Sequence, residues 1–301
     1  MDTIERFRGC LLGLAGGDAV GTSVEFRARG SFPPVTDLTS GGPFNLRPGE
    51  WTDDTSMALC LASSLVELGF DPHDQMVRYC RWWEEGYLSS NGRCFDIGNT
   101  VASALNRFKR SGEAYSGSTD PKSAGNGCIM RLAPVPMFFY PDHASAVRYS
   151  GESSRTTHGA QECIEASQLF GAMIFKALDG QAKGEILYGE HFTEGFTPPL
   201  SRRLAEIARG SYRQKPMDAI RGSGYVVDCL EAALWCFERT ENFRDAVLMA
   251  VNLGQDTDTT AAVCGQIAGA YYGEAGIPAE WNEKIALREL IAGLAEKLLH
   301  L

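Results

Sequence analysis

Two short acidic motifs contain residues whose types and spacing could do chemistry. Residues 51–56 read WTDDTS and residues 255–260 read QDTDTT, so each motif sets two carboxylates beside hydroxyl side chains. Both stand directly before an apolar, helix-like run, where an Asp or Thr could simply cap the helix by accepting hydrogen bonds from free amides. Capping needs one such residue, whereas each motif supplies several. The pair together therefore favours a shared metal site over two helix caps.

The ligand types in these motifs predict the class of metal. Carboxylate and hydroxyl oxygens are hard ligands suited to Mg²⁺ or Mn²⁺, and two neighbouring ions need several carboxylates to offset their charge. An EF-hand beginning at Asp256 is excluded, because Ile267 would occupy the position of its bidentate glutamate. Zinc is disfavoured because no Cys/His cluster is present.

A glycine-rich loop at residues 123–128 (SAGNGC) precedes an apolar segment. Its successive backbone N–H groups could bind a diphosphate without a basic patch, although an ordinary glycine turn is the simpler alternative. A Walker A loop is excluded, since no Lys-Ser/Thr pair closes the segment. Cys128 is not expected to be a nucleophile, because the sequence places no His or basic residue beside it to lower its pKa.

Three further residues are candidates for the functional site, and each also has an ordinary structural explanation. Asp96, in FDIGNT, lies at a loop-to-helix junction where a carboxylate usually caps a helix. His158 is the histidine embedded in a polar, glycine-flanked context, but a lone histidine is more often structural than catalytic. Tyr225 opens an apolar helical run and could stack on a base or simply pack.

Helical periodicity dominates the elements that must position these residues. Small residues recur at helical spacing, as in Gly9 with Gly13 and Gly265 with Gly269. A mid-helix glycine costs about 1 kcal/mol relative to alanine, so each pair predicts a neighbouring helix backbone that passes close. The predicted helices span residues 4–15, 56–68, 75–85, 97–107, 160–178, 225–238, 243–252, 259–272 and 281–299.

Domain organisation follows from what separates the helices. Strand-like alternation is scarce, and no Pro/Ser linker, repeat or low-complexity tract marks a boundary, although residues 184–203 form an irregular excursion. We therefore predict one all-α domain over residues 1–301, a compact orthogonal helix bundle with a dinuclear metal site in a loop-lined cleft.

Composition narrows the function classes and the location. The chain has 301 residues and a formal net charge of −10, which disfavours nucleic-acid or anionic-membrane binding. No apolar run approaches the roughly 20 residues that span a bilayer, and the short run at residues 10–17 ends at Asp18 and favours a buried helix over an export signal. Nine scattered cysteines without a C-x-x-C pair predict free thiols and a cytoplasmic protein.

In this order the motifs resemble those of the ADP-ribosylglycohydrolase family, the group that includes the dinitrogenase reductase-activating glycohydrolases of nitrogen-fixing bacteria. The resemblance implies an all-α fold and a dinuclear Mg²⁺ or Mn²⁺ centre. It runs nearly end to end, through RGCLLGLAGGDAVGTSVEF, WTDDTSMAL, FDIGNT, GNGCIMRLAPV, TTHGAQECIEA, GYVVDCLEAALW, NLGQDTDTTAAVCGQIAGAYYG and IPAEW. The metal ligands that it implies are Thr52, Asp53, Asp54, Asp256, Asp258 and Thr259.

The resemblance also implies roles around the metals. Glu25 matches a residue that approaches the metal water or the substrate, and Asp96 matches a carboxylate with a catalytic role in bacterial arginine-specific members. Asp96 is the first choice for the residue that takes the proton, and Glu25 is the second. The substrate-binding residues implied are Gly125, Asn126, Gly127, Cys128, Ile129 and Met130 around the diphosphate, Asn99 and His158 at the ribose end, and Tyr225 at the nucleoside. Cys128 departs from many relatives, which carry serine or another small residue there.

The activity implied is hydrolysis of the N-glycosidic bond of ADP-ribosyl-arginine on a modified protein, with ADP-ribose as product. The FDIGNT and WTDDTSMAL segments look more like arginine-specific members than like those that cleave ADP-ribosyl-serine or O-acetyl-ADP-ribose. Those two linkages are the first alternative. A non-catalytic ADP-ribose-binding module is a second, and a Mg²⁺-dependent phosphohydrolase that would release AMP is a third.

Overall fold

Helices make up the regular structure of the described chain. The computed structural model describes residues 1–188, 196 and 199–300, and within them there is no β-strand, so the all-α prediction is confirmed. In chain order the α-helices of these residues are α1 Thr3–Gly21, α2 Asp53–Leu68, α3 Pro72–Glu85, α4 Asn99–Ser111, α5 Pro134–Phe138, α6 His143–Arg155, α7 Gln161–Leu178, α8 Lys183–Leu187, α9 Arg202–Ala208, α10 Val226–Glu238, α11 Phe243–Val251, α12 Thr257–Tyr272, α13 Ala279–Asn282 and α14 Arg288–Leu299.

The centre of the fold is the antiparallel pair α1 and α12, whose backbones touch. A Cβ atom on Gly9 would lie 2.3 Å from the Gly269 carbonyl oxygen, and one on Gly265 would lie 2.0 Å from that of Gly13. Side chains cannot occupy these positions, which explains why glycine stands in the middle of both helices despite its cost. The close helix neighbours predicted from the glycine spacing are confirmed.

The register of this pair brings the end of α1 to the start of α12. The Thr257 hydroxyl donates a 2.7 Å hydrogen bond to the Gly21 carbonyl oxygen across a separation of 236 residues. Both helices are buried almost throughout. The central pair therefore holds the beginning of the second acidic motif beside the last turn of α1.

One helix without a counterpart among the predictions is α6, which spans 13 residues. Its buried face consists of small and mostly polar residues rather than an apolar stripe, so the periodicity that signals a helix is absent. Serine also competes for backbone hydrogen bonds and has a modest helix propensity. The buried residues of α6 are Ala146, Ser150, Gly151, Ser153 and Ser154.

The last predicted helix, residues 281–299, is wrong as a single element. The chain ends α13 at Asn282 and begins α14 at Arg288, because Leu287 adopts a left-handed backbone with φ of 55° that a continuous helix cannot contain. Of the irregular segment predicted at 184–203, most of α8 and the start of α9 are described. Residues 189–195, 197 and 198 of that segment lie outside the described residues.

The described residues also show whether a helix could cross a membrane and whether the cysteines are paired. No helix in the described part of the chain has the length and apolar character needed to span a bilayer. The nine cysteines are free thiols, and eight of them are buried.

Candidate functional site

A cleft of about 400 Å³ opens where the first turns of α2, α4 and α12 meet the surrounding loops. Twelve of the residues predicted from the sequence line it together. They are Glu25, Asp53, Asp96, Asn99, Gly125, Asn126, Gly127, Met130, His158, Asp256, Asp258 and Thr259. Thr52 and Asp54 lie fully buried beneath this surface.

The acidic motifs do not act as side-chain caps, which was their alternative interpretation. Thr52 is the N-cap residue of α2 and Asp256 that of α12, yet neither side chain makes a capping hydrogen bond. Asp96 is not a cap either, because Gly98 holds the N-cap position of α4. The side chains of Thr52, Asp96 and Asp256 are therefore available to bind a ligand. The positive ends of the α2 and α12 dipoles lie at the same place.

Oxygen atoms converge on the Thr52 hydroxyl at the base of the cleft. Its Oγ1 lies 2.9 Å from Asp18 Oδ1, 3.2 Å from Asp54 Oδ2 and 3.3 Å from Asp258 Oδ2. A hydroxyl has one proton and can satisfy one of these three acceptors. The second carboxylate oxygens of Asp54 and Asp258 are buried and have no hydrogen-bond partner among the described residues. Buried charge without a partner is costly, so this arrangement fits a bound cation.

The geometry groups candidate metal ligands into two clusters that share one residue. Carboxylate oxygens of Asp18, Asp54 and Asp258 lie within 4.8 Å of one another, and so do those of Glu25, Asp96 and Asp258. Hard oxygen donors of this kind suit a divalent ion such as Mg²⁺ or Mn²⁺. The chain thus has acidic residues positioned to bind metal.

The other predicted metal ligands stand beside these two clusters. Asp53 is buried on the cleft wall. Asp256 accepts a 2.8 Å hydrogen bond from the side-chain amide of Asn126, which ties the second acidic motif to the glycine-rich loop. Thr259 Oγ1 donates to Asp54 Oδ2 at 3.4 Å, across the two motifs. All six predicted ligands are therefore brought to the same end of the cleft.

Asp18 is a functional candidate that the sequence reasoning missed. One of its oxygens accepts from the amide and hydroxyl of Thr52 at 2.9 Å each, and the other accepts from the amide and hydroxyl of Thr55 at 3.1 and 2.6 Å. A single carboxylate thereby holds the first turn of α2 against α1. The available signal was a charged residue inside the buried apolar helix GLAGGDAVG.

Crowding of carboxylates perturbs their protonation. Burial, reinforced by neighbouring carboxylates, raises the pKa of Glu25 to about 10 and that of Asp96 to about 7. Burial also raises the pKa of Asp18 to about 6, against the opposing hydrogen bonds from Thr55 and Thr52. The like charges of the cluster cannot all be present in a buried site without a compensating cation. The same causes hold the pKa values of Asp53, Asp54 and Asp258 well above their usual range.

Strained backbone surrounds the cleft. Phe26, Asp96 and Gln255 adopt φ values of 62°, 60° and 70°, a left-handed conformation that costs a non-glycine residue about 1 kcal/mol or more. The Phe26 amide donates to the Gln255 carbonyl at 2.8 Å, and the Gln255 amide donates to the Arg27 carbonyl at 2.7 Å. These bonds fix the loop that carries Glu25 to the loop that precedes α12.

The glycine-rich loop offers fewer amides to a ligand than its sequence suggested. The amides of Gly125, Asn126, Ile129 and Met130 already donate to backbone carbonyls. The Gly127 and Cys128 amides belong to the short 3₁₀-helix Asn126–Cys128, whose early N–H groups have no partner within the helix. Together with the Ala124 amide, these are the loop amides that do not donate to a backbone carbonyl among the described residues.

Cys128, Ile129 and Tyr225 lie apart from the main cleft. The Cys128 thiol is buried and points toward the carbonyl oxygens of Gly125 and Cys163, each 3.8 Å away, and Ile129 is fully buried. Tyr225 lines an adjoining cavity of about 390 Å³ that shares Gly125 with the cleft. Its hydroxyl donates a 2.7 Å hydrogen bond to a carboxylate oxygen of Glu162.

Comparison with known proteins shows which family the chain resembles. The family model described as ADP-ribosylglycohydrolase matches residues 1–301. The chain is 43% identical over 301 residues to "ADP-ribosylarginine hydrolase Tri1" of Serratia proteamaculans (strain 568), covering 100% of this chain and 80% of that protein. It is 47% identical over 296 residues to the protein of the same name of Pseudomonas putida (strain GB-1), covering 98% and 78%.

A more distant relative and a solved structure extend the similarity. The "ADP-ribosyl-[dinitrogen reductase] glycohydrolase" of Rhodospirillum rubrum is 30% identical over 294 residues, covering 94% of this chain and 91% of that protein. A solved structure titled "ADP-ribosylglycohydrolase-related protein complex" superposes with a TM-score of 0.86 at 41% identity, covering 99% of this chain and 98% of that one. The chain belongs to the ADP-ribosylglycohydrolase family.

Proposed function

We propose that the protein removes ADP-ribose from arginine side chains of modified proteins by hydrolysing the N-glycosidic bond. The observation that carries this proposal is the cluster of buried, under-satisfied carboxylates at the base of a 400 Å³ cleft. The relatives named ADP-ribosylarginine hydrolases, 43% and 47% identical over nearly the whole chain, support the arginine linkage.

The cofactor proposed is a pair of Mg²⁺ or Mn²⁺ ions held by Thr52, Asp53, Asp54, Asp256, Asp258 and Thr259. The unpartnered oxygens of Asp54 and Asp258 favour a cation at this place, and two acidic clusters that share Asp258 favour a second ion. Bound divalent ions would orient the ribose hydroxyls and make a nearby water more acidic. Asp18 would act behind the ligands by holding Thr52 in place.

Asp96 is the proposed general base. It lies on the cleft wall in one acidic cluster with Glu25 and Asp258, and its position is fixed by a left-handed backbone. Glu25, in the same acidic cluster, is the second candidate for the base. We assign Glu25 to contacts with the substrate or the attacking water.

The remaining cleft residues are proposed to hold ADP-ribose. The amides of Gly127 and Cys128 would meet the diphosphate, with Gly125, Asn126, Ile129 and Met130 shaping the loop. Asn99 and His158 would face the ribose next to the metals, and Tyr225, in the adjoining cavity, would face the nucleoside. The partner proposed is an ADP-ribosylated protein in the cytoplasm, and no nucleic acid is expected to bind this acidic chain.

Product analysis tests the proposal. The protein is incubated with arginine-modified and serine-modified ADP-ribosyl substrates, with MnCl₂ or with EDTA, and the released nucleotide is identified by mass spectrometry. We expect intact ADP-ribose from the arginine substrate, and none in EDTA. Asp96→Asn should lose turnover while still binding Mn²⁺, measured by calorimetry.

Each alternative predicts its own product. Release of ADP-ribose from the serine substrate alone would show that the enzyme cleaves ADP-ribosyl-serine rather than ADP-ribosyl-arginine. Release of AMP would identify a phosphohydrolase. Binding of ADP-ribose without turnover of either substrate would identify a binding module. Unchanged turnover by Asp96→Asn would contradict the assignment of the base.

A further inference from the structure

The imidazole of His158 fills a space that the glycine-rich loop leaves for it. A Cβ atom on Gly127 would lie 2.7 Å from His158 Cε1, and one on Gly125 would lie 3.4 Å from Nε2. The histidine is 2% exposed and lines the cleft. Its Nε2 has no hydrogen-bond partner among the described residues, so this nitrogen is left for a ligand of the cleft.

The other ring nitrogen is held from behind by two residues. His158 Nδ1 lies 2.8 Å from the Thr157 hydroxyl oxygen, which in turn accepts a 2.6 Å hydrogen bond from Arg131 Nη2. Arg131 is fully buried, and its Nη1 donates at 2.6 Å to the Gly127 carbonyl oxygen. A guanidinium can only donate, so the direction of the Arg131–Thr157 bond is fixed.

This direction determines where the ring proton resides. Thr157 is completely buried, and its own hydroxyl proton needs an acceptor. Within the described structure His158 Nδ1 is the acceptor that this hydroxyl reaches. Nδ1 therefore carries a lone pair rather than a proton, and the proton of the neutral ring lies on Nε2.

The surroundings also keep the ring neutral. Burial, and after it the positive charge of Arg131, lower the pKa of His158 to about 3. The nitrogen that faces the cleft is consequently a neutral N–H donor across the physiological range. Its complement is an oxygen acceptor, such as a hydroxyl or phosphate oxygen.

We infer that Arg131 and Thr157 are positioning residues that lock His158 in the Nε2–H form, so that it donates a hydrogen bond to an oxygen of the bound nucleotide sugar. The identity of that ligand as ADP-ribose rests on the proposed function. The tautomer itself rests on hydrogen-bond directions alone.

The tautomer is measured directly on the folded protein. Long-range ¹H–¹⁵N correlation spectra of protein labelled at its five histidines distinguish the Nε2–H, Nδ1–H and doubly protonated forms. A His158→Gln variant assigns the His158 signals. We expect a neutral Nε2–H ring that does not titrate between pH 5.5 and 8. An Nδ1–H ring or a protonated ring in the wild-type protein would overturn the inference.

A matched pair of variants tests the relay. Thr157→Val removes the hydroxyl at nearly constant volume, whereas Thr157→Ser keeps it. We expect His158 in Thr157→Val to populate both neutral tautomers, and this variant to bind ADP-ribose about five- to tenfold more weakly. Thr157→Ser should stay close to wild type in both measurements. Equal tautomer ratios and equal affinities in the two variants would contradict the relay. Because the spectra need no turnover, failure of the relay and failure of the proposed linkage give separate results.

Discussion

The two ends of the α1–α12 pair contrast sharply. At one end, Gly9 and Gly269 bring backbone against backbone with no room for a side chain. At the other, Asp258 belongs to a buried cluster of carboxylates, in which Oδ1 of Asp54 and Oδ1 of Asp258 have no hydrogen-bond partner among the described residues. The backbones stay in contact at the acidic end as well, since a Cβ atom on Gly21 would lie 2.4 Å from the Asp258 Cα atom. The close packing therefore continues beneath the carboxylates and helps to hold like charges together. The two ends share the close packing and differ in the buried carboxylates, which only one of them carries.

The largest effect is expected at the packed end. Gly265→Ala would place a Cβ atom 2.0 Å from the Gly13 carbonyl oxygen, so the two helices must separate. We expect the free energy of unfolding to fall by about 3 kcal/mol, measured by urea denaturation. Gly16→Ala is the matched control, because its Cβ atom would meet side chains at 3.7 Å and beyond. Equal losses in both variants would refute the backbone contact.

At the acidic end, Asp258→Asn should abolish metal binding without unfolding the protein. Asp258 belongs to both acidic clusters, and burial raises its pKa well above the usual range, so its charge opposes folding when no metal is bound. We expect turnover to fall at least about a hundredfold and the melting temperature in EDTA to stay constant or rise. Asp142→Asn, at the exposed N-cap of α6, should leave Mn²⁺ affinity unchanged. A lower melting temperature of Asp258→Asn in EDTA would contradict the raised pKa of Asp258.

Asp18→Asn should have an intermediate effect, since Asp18 ties α1 to the first turn of α2 behind the acidic cluster. An asparagine keeps one acceptor oxygen but turns an NH₂ group toward either Thr52 or Thr55, whose amides donate. We expect Mn²⁺ affinity to fall about tenfold and the melting temperature to fall as well, followed by calorimetry and thermal unfolding. Thr55→Ser, which keeps the hydroxyl, should bind metal normally. Wild-type affinity in Asp18→Asn would remove Asp18 from the site.

The smallest effect concerns pH. Burial raises the pKa of Asp18 from 3.8 to about 6, and burial with neighbouring carboxylates raises that of Asp96 from 3.8 to about 7. The folded state therefore holds these protons more tightly than the unfolded state, so their contribution to stability is complete below pH 4 and is lost as pH rises toward 7.

A bound cation takes the place of these protons, so the gain in melting temperature on adding Mn²⁺ should grow between pH 5 and 7.5. Thermal unfolding in MnCl₂ and in EDTA at each pH measures this gain. Titrating groups outside the site affect both melting temperatures equally, so their contribution disappears when one is subtracted from the other. A gain that shrinks as pH rises would contradict the raised pKa values.

The sequence predicted the parts of the site that lie in local motifs. The Asp pairs at residues 53–54 and 256–258 were recognisable because each precedes a helix, and the spacing of Gly265 and Gly269 predicted a close helix neighbour. Asp18 was missed because its importance depends on the register in which α1 meets α2 and α12, which no local pattern encodes. Arg131 looked ordinary for the same reason, although it lies fully buried behind the site.

The sequence separation of 236 between Gly21 and Thr257 has a consequence for how the protein folds. Closing so long a loop lowers the entropy of the chain before the packing of α1 on α12 contributes any favourable free energy. Folds dominated by such distant contacts therefore form slowly. During synthesis, a ribosome must pass residue 272 before the whole of α12 can dock on α1. The catalytic centre is thus absent from every shorter nascent chain. Enzymatic activity therefore shows that α12 has docked on α1.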